Sequence, residues 1–117
     1  MQDIFLLYAQ LSGYGELTEA EKQAWWTKIN AYNDSLVKSG HYKMTSGLQP
    51  PATAKTLTRQ NGRLETVDGP FAETKEQLLG FYIVEAGGMD EAVALAARAP
   101  MAEFGHVEVR ALNPREG

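Results

Sequence analysis

Two apolar runs constrain the fold more than any other feature, one at residues 4–9 and one at residues 79–86. The first run is continuously apolar and the second is mainly apolar, so that hydrophobic side chains occupy successive positions rather than every second position. Successive side chains of a strand point to opposite faces of a sheet, so these runs are typical of central strands covered on both faces. A chain with two such strands must bring apolar layers to both sides of its sheet.

A long helix is predicted after the first central strand. Thr18 and Glu21 have the spacing of a capping box, in which each side chain bonds the other residue's backbone N–H. The helix is expected to run to about Ser39, because Gly40 suits the left-handed position that follows a helix. The predicted buried stripe recurs at helical spacing and comprises Trp25, Ile29, Tyr32 and Leu36.

Outer strands are predicted at residues 41–48 and 106–112, where apolar and polar side chains alternate. In the first strand Tyr42 and Met44 are expected on one face, with His41 and Lys43 on the other. In the last strand the apolar face holds Val107, Val109 and Ala111, and the polar face holds His106, Glu108 and Arg110. A short helix at about residues 90–99, capped by Asp90 or a neighbour, is expected to precede that strand.

A β-hairpin is predicted at residues 55–67, with Asn61-Gly62 as its two-residue turn. In that register Leu57 and Leu64 share one face, and the other face is polar. The hairpin is therefore largely solvated and is interpreted as an insertion, at about residues 54–67, in the core fold.

The element order is strand, helix, strand, hairpin, strand, helix, strand, in a single domain spanning residues 1–117. It predicts the α+β ferredoxin-like arrangement, a four-stranded antiparallel sheet with two helices on one face. Two helices leave the other face of the sheet bare, and its apolar side chains would form a large exposed patch. We therefore expect a homodimer packed sheet to sheet about a two-fold axis.

Composition excludes several classes of site. The 117-residue chain has no cysteine, so disulfides, zinc-thiolate sites, iron–sulfur clusters and thiol nucleophiles are excluded. Its net charge is −4 and its basic residues are scattered, which is unlike a nucleic-acid-binding protein. No signal peptide or membrane span is expected, so the predicted location is cytoplasmic.

The central stretch Asp68-Gly69-Pro70-Phe71-Ala72-Glu73-Thr74-Lys75-Glu76 resembles the signature of the DGPF group of YCII-related proteins. Residues 47–54 and 106–110 resemble the flanking motifs of that group. The resemblance implies a dimeric α+β barrel, and genomic association with alternative sigma factors. Smaller YCII-type proteins carry a candidate His-Asp pair that does not transfer, because the first helix here has no histidine and Ala99-Pro100 stands at the corresponding turn.

Asp68 is the strongest catalytic candidate, because a Gly-Pro turn would hold its carboxylate as a general acid or base. Alternatively, it only caps that turn. His41 and His106 are the candidate partners in the dimer cleft, although charged outer strands also serve to prevent edge pairing. The candidate substrate-binding residues are Gly69, Pro70, Phe71, Glu73, Lys75, Glu108 and Arg110. No metal or cofactor site is predicted.

Three functions remain open at this point. The first is a small cofactor-independent enzyme that moves a proton on a small organic molecule in the dimer cleft. The second is a non-catalytic ligand-binding or accessory module linked to sigma-factor regulation. The third, a cofactor-free oxygenase, rests on fold analogy alone.

Overall fold

The computed structural model describes residues 1–10, 15–72 and 74–114. In chain order its elements are β1 (Gln2–Ala9), α1 (Glu19–Lys38), β2 (Tyr42–Gly47), β3 (Lys55–Gln60), β4 (Arg63–Asp68), β5 (Gln77–Glu85), α2 (Met89–Ala96) and β6 (His106–Ala111). Single 3₁₀ turns lie at Pro51–Thr53 and Pro100–Glu103. The predicted order of elements is confirmed.

Four strands form one sheet in the order β2-β5-β1-β6, and every neighbouring pair is antiparallel. The two apolar runs are its central strands, as predicted. One buried cluster joins Phe5 and Val84 of the sheet to Leu36 of α1 and Ala92 of α2. Both helices therefore pack on the same face, and the ferredoxin-like α+β fold is confirmed.

The opposite side of the sheet, the open face, carries a row of apolar side chains across its centre. Ile4 of β1 lies opposite Ile83 of β5, and Leu6 lies opposite Phe81. In the part of the chain that the structure describes, both helices lie on the other side of these strands. The open face is thus apolar in the middle and lacks a helical layer.

Helix α1 is held at its start by the predicted capping box. The Thr18 hydroxyl accepts from the Glu21 N–H at 3.1 Å, and the Glu21 carboxylate accepts from the Thr18 N–H at 2.9 Å. The Thr18 backbone N–H, and after it the Thr18 hydroxyl, lower the pKa of Glu21. Further along, the Tyr32 hydroxyl donates to the Leu95 carbonyl at 2.8 Å, which ties α1 to α2.

Two local predictions were wrong. An irregularity between Tyr42 and Met44 interrupts the alternation of β2, so Tyr42 packs on the helix side opposite Val84 while Met44 lies opposite Ile83 on the open face. A bulge of this kind places one extra residue in a strand and reverses the facing beyond it. Helix α2 begins after Gly88, and no side chain caps it.

Strands β3 and β4 form a two-stranded sheet of their own, here called the arm. Asn61 and Gly62 have φ of 51° and 77°, the positive values that a type I′ turn requires. Leu57 lies opposite Thr66, and Arg59 opposite Leu64, so the two leucines share a face as predicted. The radius of gyration is 16.5 Å, against about 13 Å for a compact domain of this length, which fits an arm that projects from the body.

Candidate functional site

The pair of polar side chains with the geometry most like that of a catalytic site is His106 and Glu76. His106 is the first residue of β6, and Glu76 directly precedes β5. His106 Nδ1 lies 2.6 Å from Glu76 Oε2. The imidazole is 77% exposed, whereas the carboxylate is 31% exposed. The imidazole ring of His106 is therefore exposed to solvent, and the partly buried carboxylate of Glu76 holds it in place.

This pair lies in a shallow cleft of about 570 Å³ at one end of the open face. The cleft is lined by Tyr8, Thr74, Lys75, Glu76, His106 and Glu108. Tyr8 and His106 are cross-strand partners, and Glu108 lies opposite Leu6 one step along β6. A phenol, an imidazole, an ammonium and two carboxylates thus surround one depression beside the apolar centre of the sheet.

Gly105 sets the position of His106. A Cβ atom at residue 105 would lie 1.9 Å from the Tyr8 carbonyl oxygen, which is far inside van der Waals contact. Only glycine allows the chain to approach β1 this closely before the strand begins. The result is that the His106 side chain starts directly beside Tyr8.

The other wall of the cleft is the loop that leads into β5. Gln77 Nε2 donates to the Thr74 carbonyl at 2.7 Å and to the Ala72 carbonyl at 3.2 Å. These bonds fold residues 74–76 over the end of the sheet. The second half of the DGPF-like stretch thereby supplies Lys75 and Glu76 to the cleft.

The geometry assigns a tautomer to the imidazole. An ionised carboxylate only accepts hydrogen bonds, so His106 Nδ1 carries the hydrogen and donates it to Glu76. In the neutral ring Nε2 is then the basic nitrogen, and it has no hydrogen-bond partner within residues 1–10, 15–72 and 74–114. Such a ring can accept a proton at Nε2 while the carboxylate stabilises the resulting cation.

The first half of the DGPF-like stretch closes the base of the arm. The Asp68 carboxylate pairs with the Lys55 ammonium and is 79% exposed. The Gly69 N–H donates to the Ala54 carbonyl at 2.7 Å, and Gly69 has φ of 98°, a left-handed conformation that favours glycine. Neither histidine contacts Asp68 in the described residues, and a catalytic role for Asp68 stays a prediction.

The remaining predicted residues are dispersed. Phe71 is 89% exposed after the turn at Pro70, and Glu73 lies outside the described residues. Arg110 faces the open side opposite Ile4, two residues beyond Glu108 along β6. Of the predicted set, the cleft brings together His106, Lys75 and Glu108.

His41 lies elsewhere. Its Nδ1 is 2.6 Å from Ser39 Oγ and its Nε2 is 3.0 Å from Glu91 Oε1, so it joins the end of α1 to the start of α2 on the helix side. The Gly87 N–H, and after it His41, lower the pKa of Glu91. Since β2 and β6 are opposite edges of the sheet, His41 and His106 do not form one site within a chain.

Lys43 falls within the irregular part of β2, between Tyr42 and Met44. Its charge contributes to the lowered pKa of Glu85, below the larger effect of the terminal ammonium of Met1, which bonds that carboxylate. Lys43 is therefore placed near the edge of the sheet that does not hold the cleft.

Sequence reasoning missed Tyr8, Thr74 and Glu76 as members of the site. In the sequence, Tyr8 is indistinguishable from the other residues of an apolar strand. Glu76 is the last charged residue of a polar loop. The available signal was that β1 ends, and β5 and β6 begin, at the same end of an antiparallel sheet. That topology brings Tyr8, Glu76 and His106 together.

Within residues 1–10, 15–72 and 74–114, no group of three or more His, Asp or Glu residues converges as a set of metal ligands. Over the same residues, none of the helices is both long enough and apolar enough to cross a membrane.

Residues 6–115 match the model of the YCII-related domain. The chain belongs to the YCII-related domain family. It is also 41% identical over 68 residues to the uncharacterized protein R00369 of Rhizobium meliloti (strain 1021). That match covers 58% of this YCII-related chain and 55% of its relative's length.

A solved structure supports the fold over almost the whole chain. It is the 5-chloro-2-hydroxyhydroquinone dehydrochlorinase of Burkholderia phenoliruptrix AC1100, in complex with 2,5-dihydroxybenzoquinone. The two share a TM-score of 0.54 and 16% sequence identity, with 97% of this chain and 94% of that chain covered. At this identity the likeness concerns the fold.

Proposed function

We propose that this YCII-related protein is a small enzyme that moves a proton on a small organic molecule held in the cleft, without a cofactor. The observation that carries the proposal is the His106–Glu76 pair, in which a carboxylate engages Nδ1 of an imidazole that lines an open, partly apolar depression. Acids, bases and apolar walls gathered in one concave site are typical of small-molecule binding. The dehydrochlorinase of similar fold, with a small cyclic ligand bound, supports the same substrate class.

In the proposed reaction, neutral His106 Nε2 takes a proton from a carbon or hydroxyl next to a carbonyl group of the substrate. Glu76 stabilises the imidazolium, and the Tyr8 phenol or the Lys75 ammonium stabilises the oxygen that gains negative charge. The imidazolium then returns the proton to another atom of the same molecule. The net reaction is a tautomerisation, which needs no oxidant, reductant or second substrate.

We further propose that the working unit is a homodimer packed through the open face, with the arm as an insertion in a single domain. The apolar row across β1 and β5 favours such burial, since contiguous apolar patches on soluble proteins commonly mark interfaces. A partner sheet over this face would also deepen the cleft. Lower water content would strengthen the electrostatic effect of Glu76 and Lys75 on a bound ligand.

Two measurements test the enzyme proposal. Small cyclic hydroxyketones and hydroxyquinones, beginning with 2,5-dihydroxybenzoquinone, are titrated into ¹⁵N-labelled protein, and the amides of Tyr8, Thr74 and His106 are expected to shift. Compounds that bind are then incubated in deuterium oxide, and exchange of their carbon-bound hydrogen is followed by NMR.

His106→Gln and Glu76→Gln are expected to slow the catalysed exchange, and loss of a general base typically costs about 10²–10⁴-fold. Glu103→Gln is the matched control, because Glu103 is an exposed carboxylate that pairs with Lys28 away from the cleft. Binding without any catalysed exchange would refute the enzyme proposal and favour the non-catalytic binding module. Equal rates in all variants would refute the role of His106.

A further inference from the structure

The arm exposes apolar surface that its own chain does not cover. Leu57 and Leu64 lie on one face and are 57% and 54% exposed. Thr56 is the only residue of the two arm strands that is not classed as exposed, and these strands are described in full. An isolated two-stranded hairpin is only marginally stable in water, so the arm requires another surface to hold it.

The connections of the arm to its own body are confined to its base. Gly69 and Ala54 form one backbone hydrogen bond there, and Thr56 Oγ1 donates to the Gly69 carbonyl at 2.8 Å. Beyond that base the leucine face is exposed, and the buried cluster contains no arm residue. Its apolar surface is therefore available to a second molecule.

The arm would enlarge an interface formed by the open face. Four strands at about 4.8 Å spacing and about six residues of 3.3 Å each give a projected area of roughly 400 Å². One face of the arm adds roughly 200 Å² by the same geometry, and a two-fold axis brings both arms into the interface.

The charge of the arm, compared with that of the rest of the chain, also favours a second copy of this chain as the partner that binds the arm. The arm holds Lys55, Arg59 and Arg63 against Glu65 and Asp68, so its formal charge is +1. The rest of the chain has eight basic and thirteen acidic residues, which gives −5. A positive arm is thus attracted to the acidic body of an identical chain.

We propose that the arm docks on a second copy of this chain through the face that carries Leu57 and Leu64. This inference rests on the proposed homodimer and adds the arm to its interface. Each arm buries its Leu57 and Leu64 against the other protomer.

The first test measures the dimer dissociation constant by sedimentation equilibrium. Leu57→Ser combined with Leu64→Ser is expected to weaken the dimer by tenfold or more, about 1.4 kcal/mol. Val67→Ser is the matched control, because Val67 is 60% exposed and pairs with Thr56 on the opposite face of the arm. Its dissociation constant should stay within about threefold of the wild type.

The second test uses the unaltered protein, so it does not depend on how the variants fold. Labelled and unlabelled chains are mixed, and isotope-filtered NOE spectra are recorded on the methyl groups of Leu57 and Leu64. Cross-peaks to the unlabelled chain support the proposal. Cross-peaks confined to the same chain, or a stable dimer unaffected by the double substitution, would overturn it while leaving the proposed enzyme intact. A monomer at micromolar concentration would overturn both the arm contact and the proposed dimer.

Discussion

Asp3 is a buried carboxylate at the start of β1, and its replacement should make the protein more stable. The residue is 0% exposed, and neither carboxylate oxygen has a hydrogen-bond partner among the described residues. Its cross-strand neighbours are Val84 and Ala111. A buried polar group without a partner costs about 1–3 kcal/mol, and an ionised one costs more.

Asp3→Val removes both acceptors and places a β-branched side chain in a central strand, where such residues pack well. We expect the free energy of unfolding to rise by about 1–3 kcal/mol. For a domain of this size, each kcal/mol shifts the melting temperature by about 4 °C, so an increase of about 4–12 °C is expected. Asp3→Asn removes the charge but keeps a buried amide, so its gain should be smaller.

The assay is urea denaturation at neutral pH and one fixed protein concentration, because dimerisation makes apparent stability concentration-dependent. The slope of the free energy of unfolding against urea concentration should stay unchanged, because the substitution does not alter the surface exposed on unfolding. Asp34→Asn, at an exposed position of α1, is the control and should change stability by less than about 0.5 kcal/mol. A loss of more than about 1 kcal/mol in Asp3→Val would refute the reasoning, because it would mean that a partner stabilises the carboxylate.

Three further substitutions test single contacts. Gly105→Ala should lower the free energy of unfolding by about 1–3 kcal/mol through overpacking against Tyr8, and should shift the Tyr8 amide resonance. Thr18→Ala should cost about 1 kcal/mol, read from urea midpoints, because α1 loses its N-cap. Hydrogen bonds from Gly87 and His41 lower the pKa of Glu91 from its ordinary 4.5. The ionised carboxylate therefore stabilises the fold above pH 4.5, and this contribution is lost as the pH falls through the folded-state pKa. Glu91→Gln should therefore lose less stability than the wild type between roughly pH 5 and 3.

Each of these predictions has a clear contrary result. Gly15→Ala is the control for Gly105→Ala, since a Cβ at residue 15 meets nothing within 4 Å, and equal stability of the two variants would contradict the overpacking argument. A Thr18→Ala variant as stable as the wild type would mean that the capping box contributes nothing. Parallel pH profiles for Glu91→Gln and the wild type would exclude Glu91 as a source of acid sensitivity.

The fold could be predicted because its local and global patterns agree. Successive apolar residues marked β1 and β5 as central, the Thr18–Glu21 spacing marked the start of α1, and Asn61-Gly62 marked the turn of the arm. Each is a short-range pattern with one dominant structural solution. The bulge in β2 could not be predicted, because the extra residue depends on how Tyr42 packs on the helices.

The candidate site was predictable only in part. His106 was identified from the polar face of its strand, but Glu76 lies thirty residues earlier and meets it only through the pairing of β1 with both β5 and β6. Asp68 was predicted as a catalytic candidate because it directly precedes a Gly-Pro turn. Its contact with Lys55 depends on the register of the arm, which a motif does not show.

The strand order has a consequence for how the chain is made. Strand β1, at residues Gln2–Ala9, is synthesised before the other strands, yet its hydrogen-bonding partners lie at Gln77–Glu85 and His106–Ala111. At translation speeds of about 5–20 residues per second, roughly 4–15 s pass between the synthesis of β1 and that of its first partner, β5. During that interval β1, one of the two apolar central strands, has no native partner strand, so its protection from aggregation depends on α1 and on cellular chaperones.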